Sequence, residues 1–195
     1  MTQNGRGRDK FKRYRRVLLL FSSFYKILPI RFRIKLLEIH RNTNGLIGLV
    51  IRYSLLKSVA QKCGDNVMIQ PGVYLLSPDK LQIGNNVSIH PMCYIDSTGE
   101  IAIGNDVSIA HGTTIMSTTH NYGDRTIPIK DQGINHARVT IEDNVWIGAK
   151  VVVLSGVKIA SGCILGAGTV ITKDTNNDFI YGGVPSKQIK GRFEG

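Results

Sequence analysis

From Val139 to Ile171, apolar residues return every six positions. Val139, Val145, Val151, Val157, Cys163 and Thr169 form one series, and Ile141, Ile147, Val153, Ile159, Leu165 and Ile171 form a second, two residues on. A period of six matches neither the 3.6 of a helix nor the 2 of a plain strand. It fits short strands broken by turns, each pointing one branched or small residue inward. Stacked coils of this kind bury a continuous apolar column and pair their backbones about 4.8 Å apart. An earlier block repeats the pattern: Ile83, Ile89, Ile95 and Ile101, then Ile103, Ile109 and Ile115. The turns "IGNNVSI" and "IGNDVSI" supply Gly, Asn and Asp, which tolerate left-handed backbone.

The charge of the chain is divided unevenly. Fifteen of 25 Lys and Arg, but only two of 14 acids, precede position 63, so residues 1–62 carry +13 and the remainder −2. The basic run "GRGRDKFKRYRR" is followed by "VLLLFSSFYKILPI" and then "RFRIKLL". No small-residue cleavage site follows, which argues against a signal peptide. The apolar run is too short and interrupted to span a bilayer. Leu18, Phe21, Tyr25 and Leu28 predict one helical face ending at Pro29, and "GLIGLVIRYSLLKSVAQK" predicts a second helix with Leu46, Leu49, Val50, Tyr53 and Leu56 near one face. This basic arm suits either a helical segment that caps the open end of the repeat domain or packs at a subunit interface, or a peripheral contact of residues 1–30 with an anionic membrane. No nucleic-acid recognition motif accompanies it. Three cysteines (Cys63, Cys93 and Cys163) form no disulfide framework and no C-x-x-C metal spacing, which favours the cytoplasm.

The hexads resemble those of the hexapeptide-repeat acyltransferases, from about Cys63 to Arg192. The resemblance implies a mainly β fold: a left-handed parallel β-helix, assembled as a homotrimer with active sites between subunits. The expected organisation is a helical arm or cap over residues 1–62, a β-helix over 63–176 and a coenzyme A-binding tail over 177–195. The repeat breaks at 117–138, "STTHNYGDRTIPIKDQGINHAR", a loop extruded from a rigid scaffold where chemistry tends to sit. The resemblance puts the catalytic base in the segment "SIAHGTTIMSTTHNY", at His120. A neutral imidazole there can deprotonate an acceptor hydroxyl during attack on a thioester.

The segment "NVWIGA" resembles the family's coil after the loop, implying that the Ala149 backbone N–H stabilises the oxyanion and that Trp146 lines the site. "GAGTVITKD" and "YGGVPSKQIKGR" resemble the closing coil and coenzyme tail. By that likeness Ala167 and Thr172 contact the pantetheine arm, while Lys173, Lys187, Lys190 and Arg192 meet the nucleotide phosphates. His90 stands roughly where sugar acetyltransferases of the lactose and maltose type have an Asn, a departure that counts against a simple galactoside or maltose acceptor. His90, Asp96 and His136 are candidates for acceptor contact, and His111 lies on a regular coil.

The implied activity is acetyl-CoA-dependent O-acetylation of a sugar hydroxyl, with the nearest resemblance to enzymes of capsule and surface-polysaccharide synthesis. Acetylation of an amino sugar, serine or antibiotic uses the same helix and base, and a non-catalytic scaffold is the remaining alternative. No metal is expected, because the histidine spacing differs from that of zinc hydratases on this fold.

Overall fold

The computed structural model describes residues 7–194, with side chains from residue 11 onward. The start of the basic run, Gly5 and Arg6, lies outside the described residues. Three helices come first: α1 (Gly7–Tyr25), α2 (Ile30–Ile39) and α3 (Gly45–Val59). Five coils of three short strands follow: β1–β3 (Lys62–Cys63, Met68–Ile69, Tyr74–Leu76), β4–β6 (Leu81–Ile83, Ser88–Ile89, Tyr94–Asp96), β7–β9 (Ile101–Ile103, Ser108–Ile109, Thr114–Met116), β12–β14 (Val139–Ile141, Trp146–Ile147, Val152–Val153) and β15–β17 (Lys158–Ile159, Ile164–Leu165, Val170–Ile171). An antiparallel hairpin, β10 (Thr118–His120) and β11 (Ile134–His136), leaves between the third and fourth coils.

First strands of successive coils pair with first strands, second with second and third with third, all in parallel. The result is a prism with three faces, a parallel β-helix. Both hexad series point into it. Val139, Val145, Val151, Cys163 and Thr169 are fully buried, as are Ile147, Val153, Ile159 and Ile171. The earlier block does the same at Ile83, Ile89, Ile95, Ile101, Ile109 and Ile115.

The coil length changes along the chain. Gln82 pairs with Ala102, twenty residues apart, whereas Thr140 pairs with Lys158, eighteen apart. The two additional residues fall at the corner between the third face and the first, where Pro78–Lys80 form a 3-10 turn and Ser97–Glu100 a second turn. The hairpin leaves from this same corner, so the coil had spare chain there before the long insertion. At the next corner Asn66, Asn86, Asp106 and Asn144 all adopt left-handed backbone, φ 55° to 58°, a conformation that Asn and Asp reach at low cost. Gly84 beside them has no room for a side chain: a Cβ would lie 2.6 Å from the Gly104 carbonyl oxygen.

Helix α3 closes the first coil. Its Leu55 and Leu56 are fully buried and join the prism's core. Of the face grouped by spacing, Tyr53 and Leu56 are buried, whereas Leu46 at the start of the helix is exposed, as is Ile47. The short basic α2, "IRFRIKLLEI", had no clear apolar period in the sequence and begins directly after Pro29. Helix α1 packs on α3 through Leu18 and an edge-on contact of Phe11 with Tyr53 at 5.4 Å. It is tied to the first coil by Arg15, whose Nε donates to Asp65 at 2.6 Å.

The seam between helices and prism rests on Arg52, which is 1% exposed. Its guanidinium donates to the carbonyls of Ile69 (3.0 Å) in the first coil, and of His40 (3.1 Å) and Thr43 (2.5 Å) after α2. No carboxylate is among these partners, and burial pulls its pKa below the ordinary guanidinium value. Carbonyls stripped of this donor stay buried. We therefore expect Arg52→Met to lower unfolding stability by about 2–4 kcal/mol in urea titrations, with the helices loosened before the prism.

Candidate functional site

The corner between the second and third faces is a column of stacked turns. His90 N–H donates to the Ile109 carbonyl, Ala110 to Ile147, Gly148 to Leu165 and Gly166 to Tyr181, each at 2.8–2.9 Å. Beside it runs a second column: Gly112 donates to Pro91, Lys150 to His111 and Gly168 to Ala149, at 2.8–3.0 Å. His90, His111, Ala149 and Ala167 therefore share one corner on four successive coils. Gly148 must be glycine here, because a Cβ would lie 2.6 Å from the Leu165 oxygen and 2.7 Å from the Ala167 nitrogen. Lys150, next to Ala149, holds a left-handed φ of 58°, an uncommon state for a lysine that the stacked coils impose.

Trp146 lies on the second face, between Ser108 and Ile164. It is 55% exposed, so its indole faces outward. The C-terminal segment extends this same face: β18 (Phe179–Gly182) pairs in parallel with β16 and turns back as β19 (Lys187–Gly191). Lys187 and Lys190 are exposed on β19. The C-terminal tail of the sequence is thus a β-hairpin closing the end of the prism. Thr172 and Lys173 are exposed just past β17, one face away from Ala149. Arg192 is turned inward enough to donate to the Gly162 carbonyl at 3.2 Å.

His120 stands on the hairpin. Its strand partner is Ile134, and Thr118 is paired with His136. Residues opposite one another share a face of the ribbon, so His120 and His136 lie on one face as diagonal neighbours, about 7–8 Å apart. Both are exposed. The hairpin base is held by Asp96 of the preceding coil. Its carboxylate accepts from the Thr98 hydroxyl (2.5 Å), the Thr98 N–H (3.0 Å) and the Thr118 hydroxyl (2.9 Å). Burial opposes the Asp96 charge, but these donors, aided by nearby His136, outweigh it and hold the carboxyl below its usual range. Ser117 adds a second tie, donating to the Asp96 carbonyl at 2.6 Å and accepting from Gly99 N–H.

Within one chain, the candidates divide into two groups. Asp96, His120 and His136 gather at the corner from which the hairpin leaves. His90, His111, Ala149 and Ala167 gather at the preceding corner, between the second and third faces, with Trp146 and the basic β19 on the second face. The small residues Ala149 and Ala167 stack one coil apart, Gly168 N–H donating to the Ala149 carbonyl at 2.8 Å, with the exposed Lys150 beside Ala149. The sequence marked Asp96 for acceptor contact; its bonds to Thr98 and Thr118 and its tie to the hairpin base could be found only in three dimensions. No group of three or more His, Cys, Asp or Glu suited to a metal ion occurs among the described residues.

This stacked hexad prism is shared with acyl-transferring enzymes. Residues 138–173 match the bacterial transferase hexapeptide family (six repeats). The galactoside O-acetyltransferase of Escherichia coli (strain K12) is 31% identical over 173 residues, covering 88% of this chain and 84% of the relative. A solved galactoside acetyltransferase in complex with coenzyme A superposes with a TM-score of 0.75 at 30% identity, over 84% of this chain and 80% of that one. A probable acetyltransferase of Mycobacterium tuberculosis is 42% identical over 78 residues, 40% of this chain, which spans only 26% of that relative. The chain belongs to the hexapeptide-repeat acetyltransferases, of the galactoside O-acetyltransferase kind.

Because the donors around Asp96 depress its carboxyl, its hold on the hairpin is complete above the unfolded-chain value of about 4. That hold is lost only as pH falls through the lower folded value. Asp96→Ala should remove it at neutral pH, speeding hydrogen exchange at Thr118–His120 about tenfold, the scale of one charge-assisted hydrogen bond. Exchange in the regular coils should not change.

Proposed function

We propose that this protein transfers acetyl from acetyl-CoA to a saccharide hydroxyl, in surface or capsular polysaccharide synthesis, with His120 as general base. The observation that carries this reading is the division of the candidate groups between two corners of the prism. A base on one corner and an oxyanion donor and coenzyme shelf on another are brought together when a second subunit packs alongside. That arrangement favours a homotrimer with a site in each cleft. The similarity to a galactoside acetyltransferase in complex with coenzyme A supports the coenzyme and the sugar class.

In this reading, neutral His120 takes the proton of the acceptor hydroxyl as its oxygen bonds to the thioester carbonyl carbon. The Ala149 N–H donates to the oxygen that gains negative charge. As the carbon–sulfur bond breaks, the His120 imidazolium returns the proton to the departing thiolate. Proton, acyl group and charge balance without an acyl-enzyme. Ala167 and Thr172 line the pantetheine arm, and Lys173, Lys187 and Lys190 neutralise phosphates. His90, Asp96 and His136 orient the acceptor, with Trp146 as a wall. The compartment that supplies acetyl-CoA, the cytoplasm, is the site of action.

The test is release of coenzyme A thiol with acetyl-CoA and a panel of saccharides. His120→Ala should reduce turnover at least about a hundredfold while leaving coenzyme binding and subunit mass unchanged. Unchanged turnover would remove His120 from the mechanism. Co-expression of His120→Ala with Ala167→Trp chains, Ala167 being exposed, should restore part of the activity, since a mixed assembly contains clefts with an intact base facing an unblocked shelf. No restored activity from folded mixed assemblies of unchanged subunit mass would place the whole site in one chain.

A further inference from the structure

The N-terminal helices carry an apolar surface that the transfer chemistry does not use. Along α1, Tyr14, Val17, Phe21 and Phe24 recur at three- and four-residue spacing and are about half exposed or more, which sets them on one side. Leu20 and Ile27, 70% and 78% exposed, extend that side; backbone bonds of Ile27 and Leu28 continue the helical winding past Tyr25. The adjoining arc of α1, with Leu18 and Ser22, is already buried. The apolar arc of α1 is wider than one neighbouring helix covers, and α3 covers only the Leu18 side. A groove of about 290 Å³ between α1 and α3, lined by Phe21, Tyr25, Leu46, Ile47, Val50 and Ile51, prolongs the uncovered face. Leu46 and Ile47 at its rim are 73% and 72% exposed.

Charge identifies what covers this face. Lys12, Arg13 and Arg16 on α1, Lys26 after it and Arg31 on α2 are all exposed. Asp9 and Glu38 are the only acids in residues 1–62, against fifteen Lys and Arg, and Glu38 already accepts from Lys35 at 3.0 Å. A second copy would oppose one basic rim with another. The remainder of the chain, at −2, offers little to complement +13. No helix among the described residues is long and apolar enough to cross a bilayer. We propose that the outer face of α1, with the α1–α3 groove, docks on an anionic lipid surface. Its aromatic and aliphatic side chains enter the headgroup boundary, and the lysines and arginines meet lipid phosphates.

The test uses full-length protein and sedimentation with vesicles of mixed phosphatidylglycerol and phosphatidylcholine, or of phosphatidylcholine alone. Binding is expected to the mixed vesicles only, falling as salt rises. Each cation near such a surface is worth about fivefold, so Arg13→Gln, Arg16→Gln and Lys26→Gln together should weaken binding about a hundredfold. Leu20→Ser, Phe24→Ser and Ile27→Ser together should weaken it at least about tenfold, with unfolding temperature, subunit mass and thiol release on a soluble acceptor unchanged. Equal binding to both vesicle types, or to neither, overturns the proposal. So does a changed subunit mass in the apolar variant, which would assign the face to a second copy. Vesicle binding without thiol release would leave the docking surface standing and defeat the acetyltransferase reading instead.

Discussion

The structure depends on the parallel ladder between coils. Each two- or three-residue strand is too short to persist alone; it survives because the next coil pairs with it and shares its inward side chain. Removing one rung leaves two open ends, each exposing backbone donors and a disc of aliphatic side chains. The natural ends are closed for this reason. At the start, α3 lays Leu55 and Leu56 on the first coil, while Arg52, Tyr53 and Lys57 donate to coil carbonyls at Ile69, Gly64 and Cys63. At the finish, β18 and β19 fold over, and the buried Tyr181 donates its hydroxyl to Gln188 while accepting from the Asn176 N–H.

A prism so built is a rigid ruler for side chains. One coil of eighteen residues moves a group by one rung without changing its corner, which is why Ala149 and Ala167 stack. A shift of six moves it to the next corner. Chemistry placed on different corners is therefore kept apart within a chain, and packing of neighbouring prisms is the economical route to unite it. The same rigidity supports left-handed backbone at Met92 and Lys150, φ 61° and 58°, a strain that a looser fold would release.

Much of this was legible in the sequence. Counting by sixes identified the buried positions in both series, Cys163 among them. The two surplus residues per coil before the hairpin escaped that count, because "LSPDK" and "STGE" look like ordinary turns. The hairpin itself escaped because "TTH" and "INH" have no alternating apolar residues; its order comes from backbone pairing and from the ties at Asp96 and Ser117. Helix α2 escaped because arginine and lysine interrupt its apolar residues, and Leu46 was misplaced because helical spacing gives a face without saying where burial along it stops. The marking of His120 and Ala149 rested on likeness and on the repeat's interruption. Their corners follow from counting, whereas the proposed mechanism requires a second chain to bring them together.

The hairpin shows how a mobile-looking insertion inherits the ruler's precision. A free loop of this length would let an imidazole wander through many orientations, and a base must approach within hydrogen-bond reach of the proton it takes. Here the first hairpin residue is bound to Asp96, which belongs to the rung before. Asp96 is itself fixed by pairing with Leu76 and Met116 on either side. Two antiparallel pairs further out carry His120. His120 is thus only two strand pairs removed from the tie at Thr118, and its direction is set by the tilt of a ribbon anchored at both feet: Ser117 and Ala137, joined by the Ala137 N–H donating to the Ser117 carbonyl at 2.9 Å. A ribbon gives reach into a neighbouring cleft that a rung cannot, and the anchoring at its feet limits the positional freedom that reach would otherwise introduce.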